Sequence, residues 1–378
     1  MNIPFNKPYF SENGVSYIEQ CFLKDHISGD GFYTKKVNDF IEKSFNTKKA
    51  LLTTSCSSAL DMAALLIDLQ PGDEVIMPSY TFVSTANAVV LRGAKPVFAD
   101  IDEKTLNINP EDIENRITER TKAIFPVHYA GISCDMDEIL KIAKKYNLKV
   151  VEDAAQGVNA KYKHRYLGTI GDIGCFSFHE TKNYSCGEGG AILINHDYDL
   201  IEKAEIIREK GTNRSKFFRG EVDKYSWVSM GSSFLPSDIL AALLYAQFEK
   251  LIEINDLREK VFKKYYNGLK PLQEEGILRL PIVLPDCTSN YHMFYILLNS
   301  EIERNNLMDS LKAKGVQALF HYVPLHSSPM GIKLGYKEGD LPKTEDLSKR
   351  LLRLPVYADL TEQEQNYIIK NIYKILGY

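Results

Sequence analysis

The chain has 378 residues, of which 44% are hydrophobic and 25% charged, the composition of an ordinary folded protein without a large disordered region. Its 46 lysines and arginines are balanced by 50 acidic residues, for a net charge of −4, and no basic block stands out, so nucleic acid is not an expected partner. We find neither a signal peptide nor an apolar stretch long enough to span a membrane, and we therefore expect a cytoplasmic protein.

The cysteines do not indicate a metal site. They form no C-x-x-C pair and do not cluster with histidine, which disfavours a zinc or iron–sulfur centre and predicts free thiols in a reducing compartment. The six positions are Cys21, Cys56, Cys134, Cys175, Cys186 and Cys287.

From about residue 48 the chain alternates short apolar runs with amphipathic stretches of helical length, a pattern typical of βαβ units and a mostly parallel sheet. A helix is predicted at residues 136–145, where Ile139, Leu140 and Ala143 share one face. The predicted strands cover residues 50–54, 74–77, 96–99, 123–127, 149–152 and 191–194. These elements predict an α/β fold.

After about residue 245 the pattern changes. A long helical stretch is followed by proline-containing segments, an isolated strand at residues 294–298, and helices near residues 302–314 and 362–376. We therefore predict a large domain of residues 1–245, which includes an N-terminal arm, and a smaller C-terminal α+β domain of residues 246–378.

A carboxylate and a lysine stand out near the ends of predicted strands. Asp153 ends one apolar run, and Lys182 lies between the apolar residues 173–178 and the glycine-rich turn 187–190. Open parallel sheets bind ligands at the carboxyl ends of their strands. Pyridoxal phosphate (PLP) chemistry needs a carboxylate against the pyridine nitrogen and a lysine for a Schiff base. An N-capping aspartate and a solvated lysine are the alternatives, although a lysine between buried strands is costly unless its charge is used.

Two further strand-to-helix junctions have suitable chemistry for the same edge of the sheet. Hydroxyls in residues 54–58 precede a predicted helix whose free amides and dipole favour phosphate, although plain N-capping explains them as well. Phe82 follows the strand at 74–77, where its ring would stack on a flat cofactor or pack in the core. Other phosphate motifs are missing, which argues against an NTPase or a dehydrogenase.

Taken together, these segments resemble the DegT/StrS family of sugar-nucleotide aminotransferases over essentially the whole chain. The resemblance implies the aspartate aminotransferase-like fold (fold type I), PLP as cofactor, and a homodimer with active sites at its interface. The motifs that support it are residues 72–84 (GDEVIMPSYTFVS), 127–131 (VHYAG), 151–157 (VEDAAQG), 175–183 (CFSFHETKN), 209–215 (EKGTNRS) and 231–238 (GSSFLPSD).

The resemblance also implies roles for individual residues. Lys182 would carry the cofactor and act as the general acid and base, and Asp153 would pair with the pyridinium nitrogen. The remaining implied cofactor contacts are Gln156 at the 3-oxygen, Phe82 on the ring, and Cys56, Ser57 and Ser177 at the phosphate. Ser233 stands where many members have an asparagine that reaches the phosphate in the partner subunit.

Substrate contacts are implied at two segments. His321, Tyr322 and His326 resemble the C-terminal residues that line the sugar pocket, although their spacing also suits an ordinary strand and turn. Arg214 and Arg219 lie in a segment rich in glycine, asparagine and serine, where guanidinium groups would meet a diphosphate or simply be solvated.

The implied reaction transfers the amino group of L-glutamate to C4 of TDP-4-oxo-6-deoxy-D-glucose, with the galacto product. A gluco product, a C3 aminotransferase and a non-catalytic regulator that binds PLP or a nucleotide sugar are the alternatives. The related sugar 3-dehydratases have a histidine at the lysine position, and Lys182 argues against that branch.

Overall fold

The computed structural model describes residues 1–282 and 284–378. Its helices are α1 Asn13–Leu23, α2 Phe32–Phe45, α3 Cys56–Leu66, α4 Val83–Val90, α5 Pro110–Asn115, α6 Met136–Tyr146, α7 Tyr198–Arg208, α8 Arg214–Phe218, α9 Asp238–Phe248, α10 Leu251–Glu274, α11 Glu301–Ala313, α12 Pro329–Lys333, α13 Pro342–Arg350 and α14 Glu362–Leu376. Its strands are β1 Lys49–Thr53, β2 Glu74–Pro78, β3 Lys95–Ala99, β4 Thr121–Ile124, β5 Lys149–Asp153, β6 Lys161–Tyr162, β7 Arg165–Tyr166, β8 Ile173–Ser177, β9 Gly190–Ile194, β10 Leu278–Arg279, β11 Cys287–Thr288, β12 Phe294–Leu298 and β13 Leu351–Leu354.

The central sheet has seven strands in the order β1-β9-β8-β5-β4-β2-β3. Neighbours from β8 to β3 pair in parallel, whereas β9 runs antiparallel to both β1 and β8. Six strands therefore point the same way, and only β9 is reversed. The carboxyl ends of β1, β5 and β8 consequently share one edge with the beginning of β9.

Helices cover both faces of this sheet, which explains why β2, β8 and β9 are buried along their whole length. Alternate residues of each strand point to opposite sides. Ile76 and Val150 pack in one core with α2, α6 and α9, and Val75 and Val151 pack in the other with α3, α4 and α7. Strands buried on both faces appear in the sequence as continuous apolar runs, as the sequence predicted.

The C-terminal residues form a second core on a three-stranded antiparallel sheet, β10-β12-β13. Helices α10, α11 and α14 cover one face, and the opposite face contributes Tyr295 and Leu351 to a cluster with Tyr80 and Tyr129, which follow β2 and β4 of the large sheet. The strand predicted at 294–298 is confirmed as β12, with the same bounds, and it pairs with strands on both sides. One of them, β10, has only two residues, too few to show the alternation of apolar and polar residues that predicts a strand.

The predicted domain boundary at 245/246 falls inside α9, and the following helix, α10, contributes Ile254 to the first core and Val261 to the second. The division into residues 1–245 and 246–378 stays a proposal. In the part of the chain that the structure describes, no helix is both long and apolar enough to cross a membrane.

Candidate active site

The chemistry-bearing residues meet at the shared edge of the central sheet. Asp153 is the last residue of β5, Ser177 is the last residue of β8, and Gly190 is the first residue of β9. Asp153 lies opposite Cys175, and Ser177 lies opposite Gly190. The strand register thus brings together residues that are far apart in the sequence.

Asp153 is buried, with 5% of its surface exposed. Its Oδ2 accepts a hydrogen bond of 2.7 Å from Thr85 Oγ1, and its Oδ1 accepts one of 3.2 Å from the Ala155 amide. Thr85 Oγ1 lies 2.9 Å from Thr81 Oγ1. Within residues 1–282 and 284–378 no cation pairs with this carboxylate. Because a buried charge normally has an opposite charge as its partner, Asp153 is suited to a cationic group of a ligand.

Lys182 lies in the turn after β8, where its amide donates to the His179 carbonyl at 2.9 Å. The side chain is half-buried and lines a small cavity with Gln156, Ser177 and His292. Burial lowers the pKa of the Lys182 ammonium; Arg353 lowers it further, and Asp153 opposes both effects. A lysine with a depressed pKa more readily supplies the free amine that acts as a nucleophile or base.

The start of α3 provides an anion site beside these residues. Ser55 caps the helix by accepting a 3.0 Å hydrogen bond from the Ser58 amide. Within the described residues, the Cys56 and Ser57 amides donate no hydrogen bond. They belong to the first turn of α3 and are free to bind phosphate. A Cβ on Gly190 would lie 2.4 Å from Cys56 N. Gly190 is therefore needed for β9 to approach α3, a role that an interpretation of residues 187–190 as a plain turn missed.

Phe82 and Gln156 have the surroundings expected of cofactor contacts. Phe82 precedes α4, its side chain is 56% exposed, and its ring centroid lies 6.3 Å from that of Tyr322. Core packing, the alternative for Phe82, does not account for this exposure. Gln156 Oε1 accepts from the Ala130 amide at 2.6 Å, and its Nε2 donates to Tyr322 Oη at 2.9 Å. These two bonds fix the orientation of the amide.

The three C-terminal candidates separate into two groups. The His321 and Tyr322 rings stack with centroids 3.7 Å apart, and His321 Nδ1 lies 2.7 Å from Tyr129 Oη. Burial lowers the pKa of His321 well below its usual value, so this ring is neutral. His326, in contrast, is fully buried between Ser79 Oγ at 2.7 Å and Glu345 Oε1 at 2.8 Å. This arrangement gives His326 a structural explanation, and its expected substrate contact stays untested.

Arg214 and Arg219 form ion pairs away from the Lys182 cluster. Arg214 Nη1 lies 3.6 Å from Glu209, and Arg219 bonds Glu205 at 2.8 Å and Glu221 at 2.7 Å. Within the described single chain, neither guanidinium bonds a residue of the cavity.

Ser233 is exposed, and the carbonyl of the next residue, Phe234, accepts from Thr54 N at 2.9 Å. The segment that contains Ser233 is thus attached to the loop before α3.

Sequence analysis did not single out Thr85. A partial signal was present, since Thr85 lies in the first turn of α4 and Thr81 just before that helix, where hydroxyl side chains are common. Only the fold, however, shows that this turn meets the end of β5.

The residues of this edge fit PLP. The buried Asp153 carboxylate, which has no cation partner among the described residues, suits the pyridinium of the cofactor, and Lys182, with its lowered pKa, suits the aldehyde. The free amides at the start of the eleven-residue helix α3 suit the phosphate, and the exposed ring of Phe82 suits the cofactor ring. Lys182, Asp153, Cys56, Ser57 and Phe82 are the residues that would hold these groups.

Comparisons with known proteins identify the family and the cofactor. The chain is 34% identical to the spore coat polysaccharide biosynthesis protein SpsC of Bacillus subtilis, over 99% of this chain and 97% of SpsC. Spr1654 of Streptococcus pneumoniae, a proposed sugar aminotransferase, has a TM-score of 0.92 at 25% identity, covering 100% of this chain and 98% of Spr1654, and is also known in PLP and PMP forms. DesV of S. venezuelae, solved with a ketimine intermediate, has a TM-score of 0.90 at 28% identity, covering 100% of this chain and 99% of DesV.

These structures confirm the expected fold type I and PLP as the cofactor. The model of the DegT/DnrJ/EryC1/StrS aminotransferase family matches residues 9–373, nearly the whole length. The chain belongs to the DegT/DnrJ/EryC1/StrS aminotransferase family and is a PLP-dependent enzyme of the sugar aminotransferase type.

Proposed function

We propose that this enzyme transfers the amino group of L-glutamate to C4 of TDP-4-oxo-6-deoxy-D-glucose and releases TDP-4-amino-4,6-dideoxy-D-galactose. The observation that favours amino transfer over dehydration is that a lysine, Lys182, lies in the cavity beside Gln156 and Ser177, at the position where the related sugar 3-dehydratases have a histidine. The choice of a TDP-linked 4-keto sugar rests on the resemblance of the sequence motifs over the whole chain. SpsC, a relative named for polysaccharide biosynthesis, supports a role in making a surface polysaccharide.

The protein's own groups divide the work at this site. Bound PLP supplies an electron sink for a substrate carbanion. Lys182 would hold the cofactor and, as a free amine, would move a proton to and from the reacting carbon as general base and acid. Asp153 would pair with the protonated pyridine nitrogen, and Thr85 holds this carboxylate in place. Phe82, His321 and Tyr322 present uncharged aromatic surface, which suits the ring of a sugar.

We further propose a homodimer with its active sites near the interface. Residues 217–230 expose large hydrophobic side chains, and Trp227, the only tryptophan of the chain, is 81% exposed. An exposed apolar segment of this kind is typical of a protein–protein contact. The segment returns to the loop before α3 through the hydrogen bond between Thr54 and Phe234, which favours an interface beside the phosphate site. Its large side chains are Phe217, Phe218, Tyr225, Trp227, Val228 and Met230.

The function is tested by incubating PLP-loaded enzyme with L-glutamate and TDP-4-oxo-6-deoxy-D-glucose and determining the sugar product by NMR. We expect a 4-amino sugar whose ring couplings show an axial amine, the galacto configuration. An equatorial amine would replace our product with the gluco isomer. Faster conversion of the 3-keto isomer would show a C3 aminotransferase, and no nitrogen transfer to any keto sugar would contradict the proposal.

A further inference from the structure

Arg353 lies at the centre of the short strand β13 and faces away from the C-terminal core. Its strand neighbours Leu352 and Leu354 pack in that core, and Arg353 pairs with Tyr295 of β12. The side-chain alternation of a strand puts Arg353 on the opposite face. This is the face whose Tyr295 and Leu351 meet Tyr80 and Tyr129.

The guanidinium of Arg353 has few partners for a group so little exposed. Nη2 donates to the Phe320 carbonyl at 2.9 Å, and Cζ lies 4.6 Å from the Phe5 ring centroid. Nε is buried, and residues 1–282 and 284–378 provide no hydrogen-bond partner for it. Among the residues that the structure describes, no aspartate or glutamate forms an ion pair with Arg353. A charge withdrawn from water normally has an acidic partner, and here that partner is missing.

The same guanidinium acts on the candidate active site. It donates to the residue that precedes His321 and Tyr322, and Tyr322 bonds Gln156 in the wall of the Lys182 cavity. Its positive charge also contributes to the lowered pKa of Lys182 and of His321. Arg353 is therefore an unpaired cation within electrostatic range of the residue that carries the cofactor.

We infer that Arg353 binds the carboxylate of the amino donor, a site that supplements the proposed function and rests on it. Guanidinium groups match carboxylates through paired hydrogen bonds. An α-carboxylate is separated from the reacting nitrogen by a single carbon, whereas the diphosphate of a nucleotide sugar lies across the sugar ring from C4. A cation close to Lys182 is thus better placed for the carboxylate.

The test measures binding of glutarate, an unreactive dicarboxylate, to PLP-loaded protein by isothermal titration calorimetry. We expect Arg353→Gln to weaken glutarate binding by about 10- to 100-fold, as for a lost hydrogen bond to a charged group. Arg353→Lys keeps the positive charge but loses the paired N–H donors of the guanidinium, so its affinity for glutarate should lie between those of the wild type and Arg353→Gln. Arg304→Gln is the matched control, because Arg304 lies 5.5 Å from the Phe320 ring but already faces Glu301 at 3.6 Å; its affinity should equal that of the wild type.

A second readout separates the two substrates. Conversion of PLP to its amine form is followed by absorbance, once with L-glutamate and once with the 4-amino sugar nucleotide. We expect Arg353→Gln to raise the half-saturating glutamate concentration while leaving that of the amino sugar unchanged.

Failure of wild-type protein to bind glutarate, or unchanged binding in Arg353→Gln, would overturn the assignment. So would a selective loss of thymidine diphosphate binding, because Arg353 would then serve the diphosphate. If Arg353→Gln does not fold, Arg353→Lys alone decides: wild-type affinity for glutarate in that variant would overturn the inference. Since glutarate binding needs no keto sugar, failure of this inference can be distinguished from failure of the proposed function, which is measured by the sugar product.

Discussion

Lys182 and Asp153 illustrate how burial controls the chemistry of single residues. The ammonium form of Lys182 is disfavoured by the same loss of water that makes an unpaired Asp153 carboxylate costly. Burial makes the charged form of each residue unfavourable, and a cofactor with a cationic ring and a reactive carbonyl would relieve both costs. The binding of PLP should consequently stabilise the fold by mass action.

The lowered pKa of Lys182 predicts a pH dependence of stability in the cofactor-free protein. Below the pKa that Lys182 has in the folded protein, the lysine is protonated in both the folded and the unfolded state, and the folded state bears the full free-energy cost of burying the charge. Between that pKa and the ordinary lysine value of about 10.4 the unfolded state binds more protons, so stability rises with pH. Denaturant unfolding across this range should show a rise in wild-type protein that Lys182→Met lacks. Parallel curves for the two proteins would contradict the prediction.

Thr85 should act on the reaction through Asp153. Thr85→Val removes the 2.7 Å hydrogen bond to the carboxylate, and we expect kcat to fall about tenfold or more, in line with a hydrogen bond to a charged group. Thr85→Ser should restore most of the rate. Thr81→Val is the control, because Thr81 contacts the Thr85 hydroxyl and not the carboxylate; an equal loss in this variant would mean that packing, not the bond to Asp153, matters.

At the residue scale the sequence predicted more of the cofactor site than of the substrate site. Asp153 and Lys182 were singled out from a strand end and an apolar run, which are local patterns, whereas the role of Ser177 came only from the family resemblance. The surroundings of His326 and Arg353 do not follow from local patterns. His326 forms hydrogen bonds with Ser79 and Glu345, and Arg353 faces the site only because β12 pairs with β13. Those contacts join residues separated by much of the chain and leave no local trace.

Among the elements, the contact between α3 and β9 controls the phosphate site. Gly190→Ala would bring a Cβ to 2.3 Å from Ser55 C and push the start of α3 away. We expect the dissociation constant of PLP to rise about tenfold or more, as for the loss of a hydrogen bond to a charged group. Fluorescence or absorbance titration with PLP measures this change.

Gly187→Ala serves as the control for that substitution. Gly187 has φ +88 but no neighbour within 4 Å of an added Cβ. A left-handed alanine costs about 1–2 kcal/mol, so this variant should unfold more easily and yet bind PLP with wild-type affinity. If the two glycine variants lost PLP equally, the close approach of β9 to α3 would not be the cause.

Sequence patterns predicted the elements of the large sheet well because its strands are buried on both faces. The short strands were missed, since β6, β7, β10 and β11 have two residues each and are defined by their partners alone. Element boundaries of α6 and α14 agree with the predicted helices to within a few residues, as expected where the apolar period is clear.

For the whole molecule we predict a dimer that covers Trp227. Sedimentation should give twice the 43.0 kDa chain mass, and the emission of this single tryptophan should be that of a covered indole. Trp227→Arg should produce monomers with weakened PLP binding, because a charge in an apolar contact is unfavourable. Ile302→Arg, on the exposed surface of α11, should remain dimeric. A monomeric wild-type protein with full activity would contradict the interface.

The assignment of Lys182 as the residue that carries PLP is tested most directly by borohydride reduction of the PLP-loaded protein, followed by proteolysis and mass spectrometry. We predict a single phosphopyridoxyl group on the peptide that contains Lys182, and none in Lys182→Ala, which should fold but have no transaminase activity. A label on another lysine, or no label after PLP is added, would contradict the account.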